Sequence, residues 1–93
     1  MLAHMITVEF APALQRHVAC APQLVQPGSL KHVLLSALEA APPLRHYVLD
    51  DQLQIRKHVA VFVNSEMHVQ RHDLTRPLQS GDKVLVIQCL TGG

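Results

Sequence analysis

The sequence predicts an α+β domain, a mixed sheet of four to five strands with one main helix packed on one face. Three observations carry that expectation. Residues 5–10 alternate apolar and polar side chains, with Ile6, Val8 and Phe10 on one side. Residues 30–38 set Leu30, Val33, Leu34, Ala37 and Leu38 at the spacing of a single helix face. Val59-Ala60-Val61-Phe62-Val63 and Lys83-Val84-Leu85-Val86-Ile87 are apolar, largely β-branched runs of strand length.

Taken in order, the first strand runs to Pro12, which ends it. A turn through Gln15-Arg16-His17 leads to a weaker strand near residues 21–26, closed by Pro27-Gly28. Ser29 is the candidate N-cap of the main helix, its hydroxyl free to accept an orphan backbone N–H. Pro42-Pro43 stops that helix, and residues 44–49 add a further short helical turn before Asp50-Asp51. The run at 59–63 reads as a strand covered on both faces. Asn64-Ser65-Glu66 is turn chemistry, with a short edge strand expected over 67–70. Residues 74–78 are irregular around Pro77, and Ser80-Gly81-Asp82 turns the chain into the last strand.

No repeat, low-complexity stretch or linker divides the chain, so residues 1–93 are expected to form one domain, with 91–93 as a flexible tail. A hairpin, a crossing helix and then further strands is the plan of the β-grasp, or ubiquitin-like, fold. In that plan the first and last strands lie parallel at the centre of the sheet. The expected core is Ile6, Val8, Phe10, Leu30, Val33, Leu34, Leu38, Val61, Val63, Val84 and Val86. If Val84 and Val86 face the helix, alternation turns Leu85 and Ile87 the other way. With Phe62 they would make an apolar patch that needs either a partner or a covering loop.

Composition narrows the function. The apolar fraction is 48% and the charged fraction 16%, which suits a folded core and not a disordered chain. A net charge of +1, with both signs scattered, argues against nucleic acid or a membrane surface as partner. No run approaches the ~18 apolar residues of a membrane span, and no signal-peptide pattern opens the chain. A reducing cytoplasm is the expected location. Two cysteines are too few for a disulfide framework or a zinc site. Of seven histidines, His68 and His72 have a ligand-like spacing but lack completing ligands, so solvated loop histidines fit better. Cys89 has no neighbouring cation or base to lower its pKa, and reads as a small apolar residue at a strand end. No glycine-rich phosphate loop appears, and no bound cofactor or metal is expected.

The chain closes Cys89-Leu90-Thr91-Gly92-Gly93. Glycines lack Cβ atoms, so such an ending can thread a channel that any side chain would block. A merely frayed terminus is the alternative. Together with Val61-Phe62-Val63-Asn64 and Pro77-Leu78-Gln79-Ser80-Gly81-Asp82-Lys83-Val84, this ending resembles the small sulfur-carrier proteins of ubiquitin-like fold. These comprise the small subunit of molybdopterin synthase, the thiamine sulfur carrier and the carriers of cysteine biosynthesis. The segment from Leu44 through Arg56-Lys57-His58 looks more like the cysteine type. Molybdopterin-type carriers commonly have consecutive prolines where this chain has Gln88-Cys89.

The resemblance implies a substrate of enzymes and not an enzyme. An ATP-using partner of the ubiquitin-activating kind would adenylate the Gly93 carboxylate, and a persulfide or sulfide would convert it to a thiocarboxylate. ATP belongs to that partner, and the carrier binds no cofactor. The sulfur would then pass to an accepting enzyme, pyridoxal-phosphate dependent in the cysteine-type reading, or to the large subunit of molybdopterin synthase. Thr91, Gly92 and Gly93 are the expected recognition tail, and Phe62, Leu85 and Ile87 the expected docking residues. A ubiquitin-like modifier forming isopeptides with lysines would use the same carboxylate, and stays open.

Overall fold

A computed structural model describes residues 5–16 and 19–89. In chain order these form β1 (Ile6–Phe10), α1 (Pro12–Gln15), β2 (Gln23–Val25), α2 (Leu30–Leu38), α3 (Pro42–Val48), β3 (Val59–Val63), β4 (Glu66–Met67) and β5 (Lys83–Gln88). The sheet order is β2-β1-β5-β3-β4. β1 and β5 are parallel, with Val8 beside Val84 and Phe10 beside Val86. The β1–β2, β3–β5 and β3–β4 pairs are antiparallel. This is the expected β-grasp plan, with the last strand at its centre.

Every expected core residue is buried. α2 lays Leu30, Val33, Leu34, Ala37 and Leu38 against β1 and β2. Its N-terminus is capped as the sequence suggests, Ser29 Oγ accepting the His32 N–H at 3.1 Å.

The helices outnumber the expectation. Pro12 does more than end β1: it opens the four-residue α1, which buries Leu14. Pro42-Pro43 does not stop α2, which already ends at Leu38, but starts α3. Proline suits a first helical turn because its fixed φ is preorganised and its missing N–H would have no partner there. α3 buries Leu44 and Val48. β2 is shorter than residues 21–26, and β4 starts one residue early and stops at Met67. In β3 the second face is covered at Ala60 but only half-covered at Phe62.

The segment between α3 and β3 is held by arginines bonded to backbone carbonyls. Arg71 Nη1 donates to the carbonyls of Arg56 and Val59, and Arg56 Nε donates to His46 O at 2.6 Å. These contacts join residues ten or more positions apart, and fix the loop that leads into β3.

Candidate functional site

The alternation of β5 builds the site. Val84 and Val86 turn into the core, whereas Leu85 is 39% exposed on the face away from α2, and Ile87 is half-buried. The neighbouring strands set what surrounds them. Leu85 lies between Glu9 of β1 and Phe62 of β3, and Ile87 lies beside Ala60. The result is an open depression of about 660 Å³ with Phe62, Leu85 and Ile87 in its floor and Glu9, Asn64 and Lys83 at its margins. The three expected docking residues are therefore brought together, and no described loop of this chain fills the space. Glu9 and Lys83 were missed in the sequence. The signal for Glu9 was its outward phase in β1, which became meaningful once β1 was paired with β5.

The rim nearest the β3–β4 turn is a tight hairpin. Asn64 and Ser65 have φ of 52° and 72°, and Val63 pairs with Glu66 across them. Two central residues with positive φ make a two-residue hairpin turn whose twist matches the strands. Asp82, at the entry to β5, accepts from Asn64 Nδ2 and from the Gln79 N–H. Those two hydrogen bonds, the Asn64 one first, hold its carboxyl below the usual carboxylate range.

Beyond Gln88 the backbone N–H of Cys89 donates to His58 O at 2.8 Å, which sets the end of β5 beside the start of β3. Thr91, Gly92 and Gly93 lie outside the described residues. Cys89 is half-buried, just past the end of β5. Cys20 is buried, and burial pushes its thiol pKa up, away from the reactive thiolate.

His68 Nε2 lies 2.9 Å from both Gln70 O and Asp73 O, so that nitrogen carries the proton. His72 Nδ1 lies 2.8 Å from Gln54 Oε1. The two rings thus serve separate loop contacts and do not converge. Among the described residues no helix is long and apolar enough to cross a membrane.

A five-stranded mixed sheet with its last strand central and parallel to the first, packed on one main helix, defines the ubiquitin-like β-grasp class. The family model described as ThiS matches residues 22–93, and the chain belongs to the ThiS family. No curated protein sequence matches it. Solved structures do. Urm1 from Trypanosoma brucei is 26% identical, with a TM-score of 0.68 over 97% of this chain and 96% of that one. H. volcanii small archaeal modifier protein 1 is 17% identical, with a TM-score of 0.75 over 94% of this chain and 99% of that one. The Amycolatopsis orientalis BexX/CysO complex contributes a chain 14% identical, with a TM-score of 0.75 over 95% and 99%. The last two likenesses bear on fold.

Proposed function

We propose that this protein is a sulfur carrier acting as one domain, with residues 91–93 as its working tail and Gly93 as the modified residue. The match of the ThiS family model to residues 22–93 carries this reading. A free carboxylate is a poor electrophile. An ATP-using enzyme of the ubiquitin-activating kind joins the Gly93 carboxylate to AMP and releases pyrophosphate. A sulfide or persulfide sulfur then attacks the acyl carbon and AMP leaves, so that a thiocarboxylate remains once any persulfide S–S bond is reduced. The carrier needs no base of its own for this. It presents an unshielded carbon, and the partner supplies the catalytic groups. Phe62, Leu85 and Ile87 are the docking residues for that partner, supported by the open apolar depression they share.

The cysteine-type carrier is the favoured branch, in keeping with a structural neighbour solved within a complex named for CysO. The acceptor in that branch is a pyridoxal-phosphate enzyme. The protein-modifier reading has its own support in a neighbour named as a small archaeal modifier protein. Intact-mass measurement after incubation with ATP, a sulfur donor and the adenylating enzyme of the same cell tests the first reading. Replacing one oxygen by sulfur adds about 16 Da at the terminus, by atomic masses with the bonding otherwise unchanged. No mass gain overturns the carrier, and isopeptides on lysines in cell extract favour the modifier.

A further inference from the structure

Beside the root of the tail, on loops distant in sequence, Arg56, Lys57, His58, Arg71 and His72 line a second cleft of about 430 Å³. This concentration of cationic and imidazole groups is local, since the whole chain carries a net charge of only +1. One carboxylate, Asp50, shares the cleft, and its Oδ1 is already occupied by the N–H groups of Gln52 and Gln54 at 2.9 and 3.0 Å. Among the described residues, none of Arg56, Lys57 and Arg71 forms an ion pair. The two arginines are nonetheless fixed in place by the carbonyls of His46, Arg56 and Val59. A guanidinium has five N–H donors, so each keeps donors beyond those used on the backbone. Cations held rigid before binding lose less entropy when an anion arrives. The His58 ring packs edge-on against Tyr47, with the ring centroids 4.6 Å apart.

The position of the cleft says what it meets. His58 O accepts the Cys89 N–H, so the cleft flanks the chain where it leaves the sheet, one strand step past the Leu85 and Ile87 face. A protein that grips the chain just beyond Cys89 therefore comes up beside this cleft. Resting on the carrier reading above, we propose that the cleft receives an acidic segment at the mouth of the adenylating enzyme's tail channel. A few carboxylates match it in size and charge. The continuous phosphates of a nucleic acid would need a longer basic track than this. Complementary charge at such a rim acts chiefly on the rate and specificity of encounter.

Two measurements on the intact protein test it. Lys57 makes no side-chain hydrogen bond among the described residues, so Lys57→Glu should unfold at the wild-type temperature. Stopped-flow association with the adenylating enzyme should slow about tenfold at low salt, with a flatter dependence on ionic strength. Independently of sulfur chemistry, titration with a hexaglutamate peptide should shift the amide signals of residues 54–58 and 71–72, and Lys57→Glu should suppress those shifts. Unchanged association and salt dependence in the variant, or peptide shifts spread evenly over the surface, would overturn the proposal. Failure of the wild type to be adenylated at all would instead remove the carrier reading and the named partner with it.

Discussion

Asn64 Nδ2 donates to Asp82 Oδ1 at 2.9 Å, while Asn64 Oδ1 accepts the Lys83 N–H at 2.9 Å. One side chain thereby clamps the β3–β4 turn to the entry of β5, eighteen residues away in sequence. The clamp forms the margin of the apolar depression. It also explains why the turn holds an asparagine, since a left-handed backbone at 52° is tolerated by Asn better than by most residues.

Replacing Asn64 separates the two contributions. Asn64→Ala loses two solvent-accessible hydrogen bonds, worth roughly 0.5–1.5 kcal/mol each, and meets the left-handed penalty of about 1–2 kcal/mol. The expected loss is about 2–5 kcal/mol by denaturant unfolding. Asn64→Gly should be milder, because glycine accepts positive φ freely. Equal losses would mean that the backbone conformation contributes nothing and the side-chain bonds everything.

Acid stability should report on the same clamp. Asp82 has a carboxyl pKa lowered chiefly by the Asn64 hydrogen bond, with the Gln79 N–H second. A depressed folded-state pKa means that the unfolded chain binds the proton more readily. The stabilisation is therefore complete above the ordinary aspartate value of about 3.8, and it disappears as pH falls through the lower folded-state value. Thermal unfolding between pH 6 and pH 2 should show a shallower acid decline in Asp82→Asn than in wild type, from a lower starting stability. Parallel curves would assign the acid sensitivity to other carboxylates.

The elements that were readable in the sequence are those whose pattern repeats within one element. β1 shows three alternations, α2 a full helical stripe, and β3 and β5 dense β-branched runs. The outward phase of Leu85 follows from Val84 and Val86 alone. α1 was hidden because four residues cannot display a period, whereas the expected helical turn over 44–49 is present as α3 but starts two residues earlier, because Pro42-Pro43 signals a helix end and a helix start equally well. Leu74 and Leu78 were missed for a related reason: their burial depends on a loop whose backbone bonds to Gly28 and to the first turn of α2, and no local periodicity encodes that. The basic cleft was invisible on the same grounds. Arg71 reaches Arg56 and Val59 across fifteen and twelve residues, so its partners emerge only in three dimensions.

Docking and folding should come apart at Leu85. Its side chain is 39% exposed and contributes little to the core. Leu85→Asp should cost about 1–2 kcal/mol, because aspartate is a poor strand residue and would sit opposite Glu9, and yet leave the domain folded and weaken binding to the adenylating enzyme at least tenfold. Calorimetric binding together with thermal unfolding checks both halves. A variant that binds normally would exclude this face from the interface, and one that unfolds would show that Leu85 packs more deeply than its exposure suggests.

Gly93, the proposed modified residue, gives the strictest test of the carrier reading. Deleting Gly93, or adding one alanine after it, should abolish thiocarboxylate formation while leaving the unfolding temperature unchanged. Deletion leaves the new carboxylate about 3.5 Å short, one residue of extended chain. Extension brings a methyl-bearing residue to a channel shaped for glycine. Either error exceeds the misplacement of about 1 Å at which rates fall roughly a hundredfold. ATP-dependent adenylation followed by mass spectrometry reads both variants directly. Normal turnover of the alanine-extended protein, with the extra residue still present in the product by mass, would sink the sulfur-carrier reading, because a partner that accepts any terminus has no use for paired glycines.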